Sequence, residues 1–274
     1  MTRLLFIGDI CGKPGRELLR RGLASLVRQR GIDLVVANGE NAAAGFGITP
    51  DIADDLFSYG IHVLTGGNHS WDKKEIVGYM PDHARLLRPA NFPAGAPGAG
   101  RVVVRATNGV SVAVINVMGR VFMTPIDDPF RVVLDEIRAV RDEASIILVD
   151  MHAEATSEKV AMGWHLDGQA TVVVGTHTHV QTADARVLPQ GTAYITDVGM
   201  TGPHDSVIGV DRTAIIQRFL SGRPQRFETA TGNPRINAVV VDADEAIGRA
   251  VSIERLDLSA DDVETLVAQP ATAG

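Results

Sequence analysis

Short apolar runs recur along the chain, separated by stretches whose apolar positions follow a helical period. The first run, RLLFIGD, precedes a helix predicted over residues 16–30, just after Pro14. LVVANGE follows, then a helix over residues 49–59 with a Thr-Pro start, then HVLTGGNH. Continuous apolar strands alternating with helices make a βαβαβ rhythm, which implies a parallel sheet covered on both faces. In the middle, RVVVRATNGVSVAVINV holds two β-branched runs around Asn108-Gly109, a strong hairpin signal, so antiparallel strands join the parallel ones. The alternation resumes with a helix over residues 127–143, the strand SIILVDMH, a helix over residues 156–164 and the strand TVVVGTHTH. Two further hairpins are expected, in ARVLPQGTAYITDVG around Pro189-Gln190-Gly191 and in NAVVVDADEAIGRAVSIERL. Residues 259–274 read as a short helix followed by a frayed PATAG end.

No stretch of this pattern separates two cores. RPANFPAGAPGAG, from Arg88 to Gly100, is the nearest to a linker, but the hairpin after it is too short to stand alone, so a single domain over residues 1–274 is expected. A length of 274 residues with 45% hydrophobic composition supports a sizeable core. The net charge of −7 argues against a broad surface for long nucleic acid or anionic membrane and favours a small substrate. Cys11 is the one cysteine, which excludes an internal disulfide and fits a reducing compartment. The run Leu4 to Ile7 is too short for a secretory signal, and no run approaches a transmembrane length, so a cytoplasmic protein without a membrane partner is expected. Homo-oligomerisation is left open.

The turn after the first strand, GDICGKPGR, has the layout of a phosphate-binding loop but not its chemistry. Gly8 and Gly12 enclose three residues rather than four, and Pro14 stands where a magnesium-binding hydroxyl should be. What remains is an acid, Asp9, at a strand end. Four other apolar runs end in the same manner: LVVANG in Glu40 and Asn41, VLTGG in Asn68 and His69, IILVDM in His152, VVVGT in His177 and His179. The carboxyl ends of parallel strands lie along one rim, where ligands bind, so these residues are expected to converge. Each alone has a structural explanation as a turn acid, cap or core histidine. The pair His177-Thr-His179 resists it, because on extended backbone two imidazoles one residue apart point the same way, and histidine is the commonest metal ligand.

GDICG, GEN, GNHSWD, the isolated His152 and GTHTH stand in the order of the motifs of calcineurin-like metallophosphoesterases, and NGENAAAGFGIT with GNHSWD is most similar to the bacterial YmdB-like branch. The resemblance runs from Met1 to about Leu258. It implies a layered α/β sandwich with mixed sheets and helices on the outer faces. It also implies two transition-metal ions, iron or manganese in preference to zinc, and hydrolysis of small nucleotide phosphodiesters, 2′,3′-cyclic nucleotides in this branch. One metal would take Asp9, Glu40, Asn41 and His179, the other Glu40, Asn68, His152 and His177, with His69 as the general acid. Two such ions suit a phosphodiester, because they generate hydroxide at neutral pH and clamp the phosphoryl oxygens.

This chain departs from the wider superfamily at several positions. Cys11 replaces the histidine of Asp-x-His, with Asn41 filling the gap in preference to a Cys11 thiolate; Glu40 replaces the usual bridging Asp. Ser70 replaces the acid after GNH, leaving Asp72 to orient His69. The Gly-rich loop from Ala42 to Thr49 and TDVGMTGPHD from Thr196 to Asp205 are both placed to line the pocket, with His204 a weaker candidate. Two other readings stay open, a phosphomonoesterase with the same metal pair and a non-catalytic nucleotide-binding regulator on the same fold.

Overall fold

A computed structural model describes residues 1–269 and places every expected strand in one of two β-sheets. The first third of the chain forms β1 (Thr2–Ile7), β2 (Asp9–Ile10), α1 (Gly12–Arg30), β3 (Leu34–Asn38), α2 (Pro50–Ser58), β4 (Val63–Thr65) and the short α3 (Ile76–Tyr79). The middle forms β5 (Arg101–Arg105), β6 (Ser111–Met118), α4 (Pro129–Val140), β7 (Ile146–His152), α5 (Thr156–His165) and β8 (Val172–Thr176). There follow β9 (Arg186–Val187), β10 (Ala193–Ile195), β11 (Met200–Pro203), α6 (Arg212–Ser221), β12 (Pro234–Asp244), β13 (Arg249–Ser259) and α7 (Ala260–Ala268).

One sheet runs β2-β11-β12-β1-β3-β4, with β13 also paired to β12; the other runs β5-β6-β7-β8-β10-β9. Both are mixed. β1, β3 and β4 are mutually parallel and β12 is antiparallel to β1, while β6, β7, β8 and β10 are parallel and β5 is antiparallel to β6.

The two-residue period of the strands assembles the layers. In β1, Leu4 and Phe6 face the other sheet and join Val112, Val114, Leu148, Val172 and Val174 in an inner layer. Leu5 and Ile7 face the other way, against Leu18, Leu19 and Leu23 of α1, Leu56 of α2 and Val263 of α7. On the far side, Ile147, Val149 and Val173 meet Val133 and Ile137 of α4 and Met162 of α5. The result is a layered α/β sandwich with helices on its outer faces. No helix among the described residues is long and apolar enough to cross a membrane.

Several boundaries shift. Helix α1 begins at Gly12 rather than after Pro14, because a first-turn residue has no intrahelical N–H bond for proline to forfeit. Helix α4 is shorter than residues 127–143, starting where the Asp128 carboxylate caps the N–H of Phe130. Helix α2 starts as expected, with Thr49 as its cap. After the capping box of Ser259 and Asp262, α7 ends at Ala268; the frayed end expected at residues 270–274 lies outside the described residues.

Candidate active site

Strand parity carries polar side chains into the inner layer at the carboxyl ends of the strands. Asn38 continues the face of Leu34 and Val36, Asp150 and His152 that of Ile146 and Leu148, and Thr176 that of Val172 and Val174. All four are fully buried. Asp9 opens β2 just after β1, and Glu40, Asn68 and the two histidines lie beyond the ends of β3, β4 and β8, so residues distant in sequence meet on one rim.

Two adjoining groups form there and share Glu40. In the first, His152 Nε2 lies 3.1 Å from each of Glu40 Oε1, Asn68 Oδ1 and His177 Nδ1. In the second, His179 Nε2 lies 3.2 Å from Asn41 Nδ2 and 3.6 Å from Asp9 Oδ1, and the Asn41 amide reaches Glu40 Oε1 at 3.2 Å.

Hydrogen bonds behind the first group set its tautomers. Thr176 Oγ1 donates to Asp150 Oδ1 and can therefore only accept from His152 Nδ1, at 2.9 Å, leaving the lone pair of His152 on Nε2. His177 donates its Nε2–H to Glu154 Oε2, 3.0 Å away, so its Nδ1 lone pair also faces inward. Two imidazole lone pairs, a carboxylate and an amide oxygen crowded together are poorly served by one shared proton. They suit a cation, since donors held about 2.0–2.1 Å from one tetrahedral ion stand about 3.3 Å apart. In the second group the Nδ1–H of His179 donates to Ile208 O, at 2.9 Å, leaving Nε2 to face inward, and Asp9 Oδ1 is a buried oxygen with no hydrogen-bond partner. The first group therefore fits a metal; in the second, the Asp9 oxygen and His179 Nε2 are suited to one once the Asn41 amide turns to present its Oδ1 in place of the Nδ2 that now faces them.

In the metal-free centre the carboxylates favour protons on the rings that face them, and, against burial, Glu40 raises the pKa of His152. Burial opposes the charged ring of His179, but the Asp9 carboxylate more than reverses it and the pKa is pushed up to about 9. Asp9 is correspondingly held well below the usual carboxylate range, against its burial. Burial and the neighbouring His152 push His177 down to about 4, which keeps its ring neutral.

Beside this floor, His69 Nδ1 contacts Asp72 Oδ2 at 2.7 Å, and its backbone N–H donates to Glu40 Oε2 at 3.1 Å. The Asp72 contact expected in place of the superfamily's acid is thus present. Ser70 turns away and closes the turn on Gly67.

Over residues 5–256 the chain matches the family described as YmdB-like protein. It belongs to that family. The YmdB-like family is a branch of the calcineurin-like metallophosphoesterases, so the likeness read from GDICG to GTHTH holds over nearly the whole chain. The chain is 50% identical over 259 residues to a 2′,3′-cyclic-nucleotide 2′-phosphodiesterase of Bacillus subtilis, a match covering 94% of this chain and 98% of that protein. The crystal structure of a hypothetical protein from Thermus thermophilus is similar with a TM-score of 0.88 at 43% identity, over 94% of this chain and 99% of that one. The crystal structure of a novel phosphatase of Mycoplasma pneumoniae is similar with a TM-score of 0.88 at 33% identity, over 94% of this chain and 93% of that one.

Within this YmdB-like chain, three expectations about the site need correction. The two histidines after β8 do not sit on extended backbone: the strand ends at Thr176, and His177 and His179 adopt positive φ of 96° and 65°. That turn, rather than strand pleat, points each ring into a different group. Residues 196–205 do not line the cavity in front of these groups; the segment from Val207 to Val210 does, whereas Ala44, Gly45 and Phe46 of the Gly-rich loop do so as expected. His204 bonds Gly202 O and Asn237 Oδ1, a structural role away from that cavity. The GDICGKPGR turn is close-packed rather than phosphate-cradling, since a Cβ on Gly8 would fall 2.0 Å from Gly199 O.

The sequence reading missed Asp150, Glu154 and the buried pair Lys159–Asp197. Asp150 lies inside the strand that ends in His152, and burial pushes its pKa up to about 6. Asp197 Oδ2 accepts from Lys159 Nζ at 2.6 Å and from the backbone N–H of Thr178 at 3.1 Å, bracing the turn between the two histidines. A charged residue within an apolar strand, as at Asp150, was the available signal; nothing local marked Lys159, which continues an ordinary helix pattern.

Proposed function

We propose that this chain is a dinuclear metal-dependent phosphodiesterase whose substrates are small phosphodiesters, ribonucleoside 2′,3′-cyclic phosphates foremost. The convergence of Asp9, Glu40, Asn41, Asn68, His152, His177 and His179 in two groups joined by Glu40 carries this reading. The chain is an enzyme acting on small phosphoesters, and the name of its B. subtilis relative supports the cyclic diester as the substrate.

Asp9, Glu40, Asn41 and His179 would hold one ion, and Glu40, Asn68, His152 and His177 the other. Mixed carboxylate, amide and imidazole donors favour iron or manganese and admit zinc. When bound, such a pair supplies hydroxide at neutral pH and neutralises the phosphoryl oxygens. His69 protonates the departing ribose oxygen. Its Nδ1 is engaged by Asp72, which leaves Nε2 for the leaving group, and its backbone bond to Glu40 ties the acid to the shared carboxylate. Asp150, through Thr176, and Glu154 hold the His152 and His177 rings in the tautomers that direct a lone pair inward.

With manganese or iron supplied, 2′,3′-cyclic AMP or GMP should be opened to a single phosphomonoester, with further dephosphorylation much slower; chromatography of the products is the test. Free phosphate released as fast as ring opening would make the chain a phosphomonoesterase, and tight nucleotide binding without turnover would make it a regulator.

A further inference from the structure

In front of the metal-ligating floor lies a cavity of about 460 Å³, within the range of about 300–1,000 Å³ typical of small-molecule sites. Its floor carries Glu40, Asn41, His69, His177 and His179; its walls carry Phe46, Ile208, Val210, Ile215, Phe219 and Phe227. Among the described residues no lysine or arginine lines it, and the charged side chains beyond the floor are Glu154 and Glu228. The protein therefore offers no cation there for a second phosphate, and two carboxylates oppose one.

Two of the three aromatic walls have a partner that positions them. The guanidinium of Arg218 lies over the Phe227 ring, 4.9 Å from its centroid, and so fixes a ring that also borders the cavity. Phe46 meets the His69 ring edge-on, with centroids 5.1 Å apart, placing an aromatic wall directly beside the general acid. Phe219 is 81% exposed, an aromatic surface at the mouth that a bound ring would cover.

We infer that this apolar chamber is a nucleobase subsite: it takes one planar, uncharged ring attached to the single phosphodiester that sits on the floor. The inference rests on the phosphodiesterase reading above and goes beyond it by assigning base recognition to Phe46, Phe219 and Phe227. Stacking on aromatic rings is tolerant of base identity, because every base has a π-face, so purines and pyrimidines both enter.

The test compares kcat/KM of the manganese-loaded enzyme for adenosine 2′,3′-cyclic phosphate and for methyl riboside 2′,3′-cyclic phosphate, which lacks the base. The wild type should prefer the nucleotide by about 5- to 150-fold. In Phe227→Ala that ratio should fall severalfold, chiefly through KM, and Phe227→Leu, which keeps apolar bulk without a π-face, should fall between. Adenosine alone should inhibit the wild type competitively and Phe227→Ala more weakly. Equal kcat/KM for the two diesters in the wild type, or a ratio unchanged in both Phe227 variants, overturns the subsite while leaving the phosphodiesterase intact. Hydrolysis of neither diester by metal-loaded protein overturns the functional reading, and the subsite with it.

Discussion

At the scale of single residues, the donor set predicts which substitutions strip metal and which do not. Cys11 stands where the wider superfamily has a histidine, but burial, with the Asp9 carboxylate beside it, pushes its thiol up to about 12, and a neutral thiol is a poor ligand. Cys11→Ser should therefore keep its metal and Glu40→Ala lose it, as read by elemental analysis of the purified proteins; equal loss would return Cys11 to the ligand set. Gly67 is a sharper case. A Cβ there would fall 2.3 Å from both Glu40 Oε2 and His152 Nε2, so Gly67→Ala should retain its circular dichroism and lose metal. His69→Ala should slow turnover of a ribose diester by about 10²–10⁴-fold while keeping metal, and less so for a p-nitrophenyl ester, whose leaving group needs little protonation. His179 supplies a pH signature. Its raised pKa means that its contribution to the stability of metal-free protein is complete below about pH 6.5 and lost as pH rises through about 9. Near pH 7.5 that proton must leave when metal binds, so calorimetry in buffers of different ionisation enthalpy should record net proton release, diminishing well above pH 9.

At the scale of elements, the turn after β8 decides the geometry of the site. His177 and His179 occupy a region that L-residues enter reluctantly, and the backbone N–H of Thr178 between them is held by Asp197. Lys159, on α5, is 1% exposed and neutralises that carboxylate. Lys159→Met would leave Asp197 buried without its cation, a loss of about 3–5 kcal/mol. Urea denaturation should show a destabilisation of that order, accompanied by weaker metal retention at denaturant concentrations that leave the fold intact. Unchanged metal retention would mean that the turn holds its shape without the pair. The expectation of a pleated His-x-His failed for a physical reason. A strand continues only as far as its neighbours supply hydrogen bonds, and the β7–β8 ladder ends at the His152–Thr176 pairing.

At the scale of the whole molecule, the two sheets share an inner layer in which Leu4, Phe6 and Val36 pack against Val114, Leu148 and Val174, so neither sheet can bury that face alone. We propose that the chain is one domain, and differential scanning calorimetry of metal-free protein should show one cooperative transition; two separable transitions would divide it. The elements and the rim were legible in the sequence because both follow from local rules. The strand period of two and the helical period sort LLFI, LVVA, IILV and TVVV into layers whatever lies opposite, and parallel strands necessarily present their carboxyl ends together. Tertiary structure alone decided which strands pair in each sheet, that Asp150, Glu154, Lys159 and Asp197 support the histidines, and that residues 207–210 rather than 196–205 wall the cavity. Those outcomes depend on contacts between segments far apart in the chain, and on backbone conformations set by side chains from other elements, neither of which leaves a mark in the local pattern of apolar and polar residues.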